Sequence, residues 1–261
     1  MRRSILSIAL ISFFCLNSCQ EKGTAYGQLV VSPEVLILTK SDDDATQEIK
    51  SQITVYISGP GVQMSYAYDQ IPDYIEIPVN SLNPYAVSAQ TVSASQAETV
   101  PDEWGQIRYA GYTEVLVNRI DQPTEARVHC TVVNAQMSVV FDESVLNYYT
   151  DCSVVLTTAG GRRLVFTPDN AASVVAYLTA DEVVNYDFIG TFNVNDEVQT
   201  VSRTLELEPA MHYSVRIALG NTTGNIGQPQ INLITDCEDL YSTMIIDPSQ
   251  DGVANTENQD E

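Results

Sequence analysis

The chain has 261 residues, of which 34 are Asp or Glu, 12 are Lys or Arg and 2 are His, so its formal net charge is −22. Apolar residues make up 44% of the chain, which is enough to fill a packed core and excludes wholesale disorder. The negative charge repels phosphate backbones, so we expect no nucleic acid among the partners. At about 100–150 residues per domain, the length predicts one large domain or two ordinary ones.

The N-terminus begins with a basic pair and continues as an apolar run from Ile5 to Cys15. This run is shorter than the about 20 residues that a membrane-spanning helix needs and is typical of a secretory signal. It ends in Leu16-Asn17-Ser18-Cys19, which resembles the lipobox of bacterial lipoproteins. We expect a signal peptide over residues 1–18, lipidation of Cys19 and a lipidated linker over residues 19–25. The alternative is an ordinary secretory signal in which Cys19 is incidental.

Lipidation at Cys19 predicts where the protein resides. Several acyl chains hold a protein on a membrane almost permanently, and no later segment approaches the apolar length of a spanning helix. We therefore expect the outer membrane as a partner, bound through this lipid, with the protein on the cell surface. The periplasmic face is the alternative.

Alternating apolar and polar residues recur over most of the remaining chain, with turn residues about every ten positions. This pattern is typical of β-strands, and we predict an all-β fold of two tandem antiparallel β-sandwich domains. Helical signal is confined to residues 142–149. The predicted strands cover residues 28–38, 53–57, 74–79, 85–91, 112–118, 128–133, 137–141, 153–158, 163–167, 174–178, 186–192, 200–207, 213–219, 230–235 and 243–246.

The division into domains follows from a break in this pattern. Gln122-Pro123 interrupts a strand, and a fresh alternating run begins shortly after it. We predict an N-terminal domain over residues 26–128 and a C-terminal domain over residues 129–248, both of ordinary sandwich size. Residues 249–261 are polar and acidic, which predicts a disordered tail.

The cysteines do not form a complete disulfide framework. Cys15 leaves with the signal and Cys19 carries lipid, so an odd number remains: Cys130, Cys152 and Cys237. Cys130 and Cys152 either pair across neighbouring strands or stay buried as free thiols, and we favour free thiols.

The two histidines offer little chemistry. His129 precedes Cys130 in a predicted strand, where neighbouring side chains point to opposite faces, so it does not activate that thiol. His212 begins another strand, and no pair of Cys or His has the spacing of a zinc site. We expect no catalytic residue, no metal ion and no cofactor.

Aromatic residues are the one enriched type of chemistry in the first half. Exposed rings stack on sugars and anchor protein contacts, whereas tyrosine is also an ordinary strand residue with one wet edge. Both interpretations remain open. The candidate ligand-contact residues are Tyr66, Tyr68, Trp104, Tyr109 and Tyr112.

Several segments occur in a recognisable order: Gly27–Val31, Ile71–Pro78, Pro84–Ala89, Arg108–Tyr112 and His129–Phe141. Together with the lipobox, they resemble the fimbrillin-like lipoproteins of Bacteroidales, in particular a branch named only as a domain of unknown function. The resemblance covers most of residues 24–246. It implies two transthyretin-like β-sandwich domains and a role as a fimbrial stalk, tip or anchor subunit or as a surface adhesin.

Polymerising members of that family are clipped after a basic residue, which opens a groove for the donor strand of a neighbour. Lys22, Lys40 and Lys50 are the candidate clip positions here. A donor strand alternates apolar residues, whereas residues 253–258 are mostly polar. The sequence therefore favours a non-enzymatic adhesin or fimbria-associated anchor, tip or accessory subunit. Its partners are then fimbrial subunits bound through β-strand addition. The alternative is a glycan-binding lipoprotein of a polysaccharide-uptake system.

Overall fold

The structure, a computed structural model, describes residues 24–35, 43–220 and 230–240. Within these ranges most residues of regular structure lie in β-strands, which confirms the prediction of an all-β protein. The strands of the first half are β1 (Tyr26–Val35), β2 (Thr54–Gly59), β3 (Val62–Ala67), β4 (Ile75–Pro78), β5 (Tyr85–Gln90), β6 (Tyr109–Val115) and β7 (Thr124–Val132). Those of the second half are β8 (Asn134–Phe141), β9 (Tyr149–Thr157), β10 (Arg163–Phe166), β11 (Ala176–Thr179), β12 (Val183–Phe192), β13 (Glu197–Glu206), β14 (Met211–Leu219) and β15 (Ile231–Asp239).

Short helices interrupt the strands: α1 (Asp43–Ser51), α2 (Ala94–Thr99), α3 (Glu143–Leu146) and a 3-10 turn (Tyr68–Gln70). Helix α3 lies within residues 142–149, where the sequence predicts a helix, but it ends early because β9 begins at Tyr149. The sequence pattern does not predict α1 or α2. A capping box starts α2, since the Ser93 side chain accepts from the Gln96 amide and the Gln96 side chain accepts from the Ser93 amide. None of the helices in the described residues combines the length and apolarity needed to cross a membrane.

The two halves repeat one connectivity. In each set of seven strands, the third, second, fifth and sixth form an antiparallel row: β3-β2-β5-β6 and β10-β9-β12-β13. In each set the first strand lies between the fourth and the seventh: β4-β1-β7 and β11-β8-β14. In the second half β15 is added beyond β14, while in the first half β6 also pairs with β7 and joins the two rows into one sheet. The chain is therefore built from two copies of the same seven-strand topology.

Two strand pairs differ from the predicted antiparallel arrangement. The first strand of each copy pairs in parallel with the seventh, so β1 lies parallel to β7 and β8 parallel to β14. Parallel neighbours need a long connection, which the intervening strands of each copy supply. Hydrophobic alternation fixes the face of a side chain and carries no information about strand direction, so the sequence pattern does not distinguish these pairs.

Each of the two copies has its own hydrophobic cluster. The N-terminal cluster consists of buried residues between Leu29 and Val132 together with Ala210, and it takes residues from both rows of the first copy. The C-terminal cluster consists of buried residues between Ala135 and Ile231 and draws on both sheets of the second copy. Each cluster therefore buries side chains from both rows of its copy, and each fully buried aliphatic or Phe side chain contributes about 1.5–3 kcal/mol.

The change from the N-terminal cluster to the C-terminal cluster occurs several residues after Pro123, where the sequence pattern breaks. Strand β7 begins directly after Pro123 and continues to Val132, and its residues Cys130 and Val132 belong to the N-terminal cluster. Ala135 is the first residue of the C-terminal cluster. The predicted division between residues 128 and 129 thus lies inside a continuous strand. The predicted strand 243–246 and the predicted tail 249–261 lie outside the described residues.

Candidate functional site

The predicted ligand-contact aromatics do not come together on one surface. Tyr109 is only 3% exposed and belongs to the N-terminal cluster, and Tyr66 and Tyr68 pack against that cluster partly buried. Trp104 packs against the C-terminal cluster. Tyr112 is 61% exposed on β6 and is the member of the set whose ring faces solvent.

The lipidation and clip positions are mostly outside the part of the chain that the structure describes. Cys19, Lys22 and Lys40 all lie there, so acylation and cleavage at these residues stay predictions. Lys50 lies in the last turn of α1, and its carbonyl accepts a hydrogen bond from the Ile53 amide at 3.0 Å. Cleavage after Lys50 therefore requires the end of α1 to open first.

The thiols are unsuited to nucleophilic chemistry. Cys130 and Cys152 are buried and free, and Cys237 is free and exposed. Burial raises the pKa of Cys130 to about 11, and burial assisted by the charge of Asp151 raises the pKa of Cys152 to about 11. Since the thiolate is the reactive form, both buried cysteines are inert at neutral pH. The free-thiol alternative of the sequence analysis agrees with this structure.

The two histidines make different contacts. His129 is exposed on β7, and its Nδ1 lies 3.0 Å from a carboxylate oxygen of Glu34 on the neighbouring strand β1. His212 lies in a polar row across β8, β14 and β15. Its Nε2 is 2.9 Å from Ser138 Oγ and its Nδ1 is 3.3 Å from Glu238 Oε1. The order serine, histidine, carboxylate is that of a hydrolase triad.

Acyl transfer also needs N–H donors placed where the oxyanion develops. The Asn134 carbonyl accepts from the Ala210 amide and the Asp142 amide donates to the Ile217 carbonyl, so even-numbered residues of β8 direct their amide groups toward β14. Odd-numbered residues direct theirs toward the opposite edge. Both directions lie in the plane of the sheet, whereas the Ser138 side chain projects from its face. Strand β8 supplies no amide above Ser138, and we interpret the row as a link between strands.

An apolar groove runs along the edge of β8. It has a volume of about 510 Å³ and is lined mostly by apolar residues of Val139–Phe141, Leu146, Pro168 and Ala171–Val175, with Ser138 and His212 also in its wall. Strand β11 pairs with β8 only as far as the Ala176–Met137 pair. Beyond that point the backbone groups of the odd-numbered residues of β8 face the groove.

A segment of the first copy closes the edge of β11. Residues 93–108, which we call the α2 arm, reach across to the second copy. The Glu98 carboxylate accepts from the Thr179 amide at 3.0 Å and from its hydroxyl at 2.7 Å, and the Trp104 carbonyl accepts from the Tyr177 amide at 2.8 Å. The outward amides of this edge strand are thereby occupied, which blocks strand addition there.

Two further polar side chains, those of Asn134 and Arg162, form hydrogen bonds with the backbone of the α2 arm. Asn134 is 4% exposed; its Nδ2 donates to the Gln106 carbonyl at 2.8 Å and its Oδ1 accepts from the Arg108 amide at 3.0 Å. Arg162 Nη2 donates to the Glu103 carbonyl of the arm, and its Nη1 donates to the Tyr177 carbonyl at 2.8 Å. The sequence gives no signal for these contacts, because they join residues that are 15 to 59 positions apart.

A second exposed tyrosine lies near Tyr112. On the outer side of the β3-β2-β5-β6 row, Tyr56 is opposite Ser88, and Ser88 is opposite Tyr112. Tyr56 is 42% exposed. We call the outward-facing residues of these four strands the tyrosine face. Sequence reasoning missed Tyr56, because its nearness to Tyr112 depends on the pairing of three strands.

These features define a class: an all-β chain of two copies of one topology, with buried cores and with an open edge and a polar face. The family described as "Domain of unknown function (DUF4493)" matches residues 26–247, and the chain belongs to that family. This confirms the resemblance to a branch named only as a domain of unknown function. Among curated proteins, none matches this chain.

Several solved structures are similar in outline. A fimbrial assembly protein from Parabacteroides distasonis is 9% identical, with 81% of this chain and 99% of that one covered and a TM-score of 0.42. The fimbrial anchor protein Mfa2 from Porphyromonas gingivalis is 8% identical, with coverage of 83% and 98% and a TM-score of 0.39. A candidate cell adhesion protein from Bacteroides ovatus is 11% identical, with coverage of 83% and 98% and a TM-score of 0.39. Similarity at this level does not extend to function.

Proposed function

We propose that this chain is a non-enzymatic lipoprotein of the cell envelope that acts as an adhesin or as a fimbria-associated anchor, tip or accessory subunit. The observation that carries the proposal is the open edge of β8 beside its apolar groove. An edge with exposed amide groups next to pockets for alternate side chains is the arrangement that binds an added β-strand.

The details of this edge support a strand as the occupant. The amide groups of Val139 and Phe141 point into the groove, and no described residue makes a hydrogen bond to them on that side. The groove volume of about 510 Å³ lies within the range of about 300–1,000 Å³ that is typical of binding pockets. The neighbouring edge, β11, is closed by the α2 arm. An added strand from a fimbrial subunit or another envelope protein therefore has one short site in this region.

The N-terminus supports a position close to a membrane. Tyr26, where β1 begins, follows Cys19 by seven positions. A linker of that length spans at most about 23–25 Å when fully extended. If Cys19 carries lipid in the outer membrane, the first copy stays near the membrane surface, as suits an anchor or accessory subunit.

We take the two copies as transthyretin-like β-sandwich domains that divide after β7.

A site-specific photo-crosslinker tests this function. The crosslinking residue replaces Ala172, which is exposed beside the groove, in protein expressed by its native cells. We expect irradiation to attach an extended segment of another envelope polypeptide, identified by mass spectrometry. The matched control replaces Ser202, which is exposed on β13. Equal yields at the two positions contradict strand addition at β8.

A further inference from the structure

On the tyrosine face, small and polar side chains form the floor of the surface, and the rings of Tyr56 and Tyr112 project from it. Its middle row crosses four strands in the order Ser65, Tyr56, Ser88 and Tyr112. The flanking rows are Ala67, Thr54, Gln90 and Ala110 on one side and Gln63, Ser58, Ala86 and Glu114 on the other. Alternation along each strand sends the large apolar residues inward and leaves this floor outside.

The two rings are available to a ligand. Tyr56 and Tyr112 are 42% and 61% exposed, and neither takes part in a ring–ring contact among the described residues. They lie two strands apart, or about 9.4–9.8 Å, so the rings do not pack on each other. The Tyr112 hydroxyl donates to Glu114 Oε1 at 2.5 Å, which orients its ring before any ligand arrives.

A recess beside Tyr112 adds hydrogen-bonding groups. It has a volume of about 460 Å³ and lies over Ser88 and Ala110. In its wall, Arg108 Nη2 donates to Gln90 Oε1 at 2.8 Å, which fixes the orientation of the amide. No described residue accepts from Gln90 Nε2, so this donor is available to a ligand in the recess.

Next to Tyr112, the backbone of β6 approaches β7 closely at Gly111. A Cβ atom at this position would lie 2.3 Å from the His129 carbonyl oxygen on β7, so no larger residue fits without a shift of β6. Because neighbouring residues of a strand face opposite sides, this close approach lies on the inner side of β6, while Tyr112 projects from the outer side.

The chemistry of the face selects a class of ligand. Two separated tyrosine rings suit a chain whose repeating units each present an apolar face, while the amide and hydroxyl groups of the floor suit hydroxyl-rich edges. A pyranose chain has both properties. Arg108 and Glu114 balance each other on the face, and the net charge of −22 repels acidic polymers. In an extended β-1,4-linked chain, alternate sugars turn the same face to the protein and meet the two rings.

We infer that the tyrosine face binds a neutral, extended β-1,4-linked glycan, with one sugar in the recess against Tyr112 and another stacked on Tyr56. Gln90 and Arg108 hydrogen-bond the hydroxyl groups of the sugar in the recess. The inference rests on the proposed contact role and names a ligand class for it. The site is separate from the β8 edge, so a strand and a glycan do not compete.

Calorimetric titration of the mature lipidated protein in detergent micelles tests the inference, with cellohexaose and mannohexaose as the probes. We expect at least one probe to bind, with the Kd raised at least tenfold by Tyr112→Ala and at least fivefold by Tyr56→Ala. Tyr112→Phe keeps the ring and should stay within threefold. The matched control is Tyr74→Ala, which removes a tyrosine that is 58% exposed away from this face and should leave the Kd unchanged.

The inference is overturned if the wild-type protein binds neither hexasaccharide, or if Tyr74→Ala weakens binding as much as Tyr112→Ala does. Polygalacturonate is the acidic comparison, and binding as tight as that of the neutral probes contradicts the assigned ligand class. The proposed function is read separately, from membrane attachment and from crosslinking at Ala172. If glycan binding is absent while membrane attachment and crosslinking at Ala172 are observed, the assigned ligand is wrong and the proposed function stands.

Discussion

The substitution Asn134→Ala tests the joint between the two copies. It leaves the Gln106 carbonyl and the Arg108 amide without their partners in a partly buried place. Each such hydrogen bond contributes about 0.5–1.5 kcal/mol, and leaving a buried group unpaired costs about 1–3 kcal/mol. Because water reaches both partners in part, we expect the free energy of unfolding to fall by about 2–4 kcal/mol.

Urea denaturation measures this change. Trp104 is the one tryptophan of the chain, and it lies on the α2 arm against the C-terminal cluster, so its fluorescence reports the joint directly. We expect a lower midpoint with an unchanged slope. The exposed Asn118 provides the control, since Asn118→Ala should change the free energy of unfolding by less than about 0.5 kcal/mol. A loss as small as this for Asn134→Ala refutes the assignment.

Three further predictions concern packing and protonation. If Cys19 carries lipid, a thiol reagent at pH 8 should modify Cys237 alone in the native protein, while urea-unfolded protein should also expose Cys130 and Cys152. Modification of more than one thiol in the native protein contradicts the burial of Cys130 and Cys152. Burial raises the pKa of both buried thiols from 9.0 to about 11, so their contribution to the free energy of unfolding should be fully present below pH 9 and be lost as pH rises toward 11, as urea midpoints across pH will show. Gly111→Ala places a Cβ against the His129 carbonyl and should lower the free energy of unfolding by about 1–3 kcal/mol, and unchanged stability in urea rules out the close approach of β6 to β7.

The sequence predicts the strands well where a long alternating run has one buried face. Leu29 and Val31 on β1 are examples, and both are buried as the pattern requires. Strand β3 also alternates, with Val62, Met64 and Tyr66 on one side. Interpreting Tyr66 as a ligand contact leaves this strand out of the prediction. All three of these residues pack against the N-terminal cluster.

The candidate site depends on pairing that alternation does not encode. Tyr56 and Tyr112 are 56 positions apart and become neighbours only because β5 lies between their strands. The contacts of the α2 arm cannot be predicted from alternation for the same reason, because its hydrogen-bond partners belong to the second copy. Period-two patterns identify which face of a strand is buried, while the register between strands decides which exposed residues meet.

The most direct measurement compares membrane attachment of the wild-type protein and its Cys19→Ala variant in cell fractions, together with protease shaving of intact cells. A lipid-anchored contact protein on the cell surface predicts three results. The wild type is in the membrane fraction with an acylated N-terminal cysteine, shaving without lysis releases peptides from residues 26–240, and the variant is soluble. Retention of Cys19→Ala in the membrane fraction, or a wild-type N-terminus without acyl chains, contradicts it.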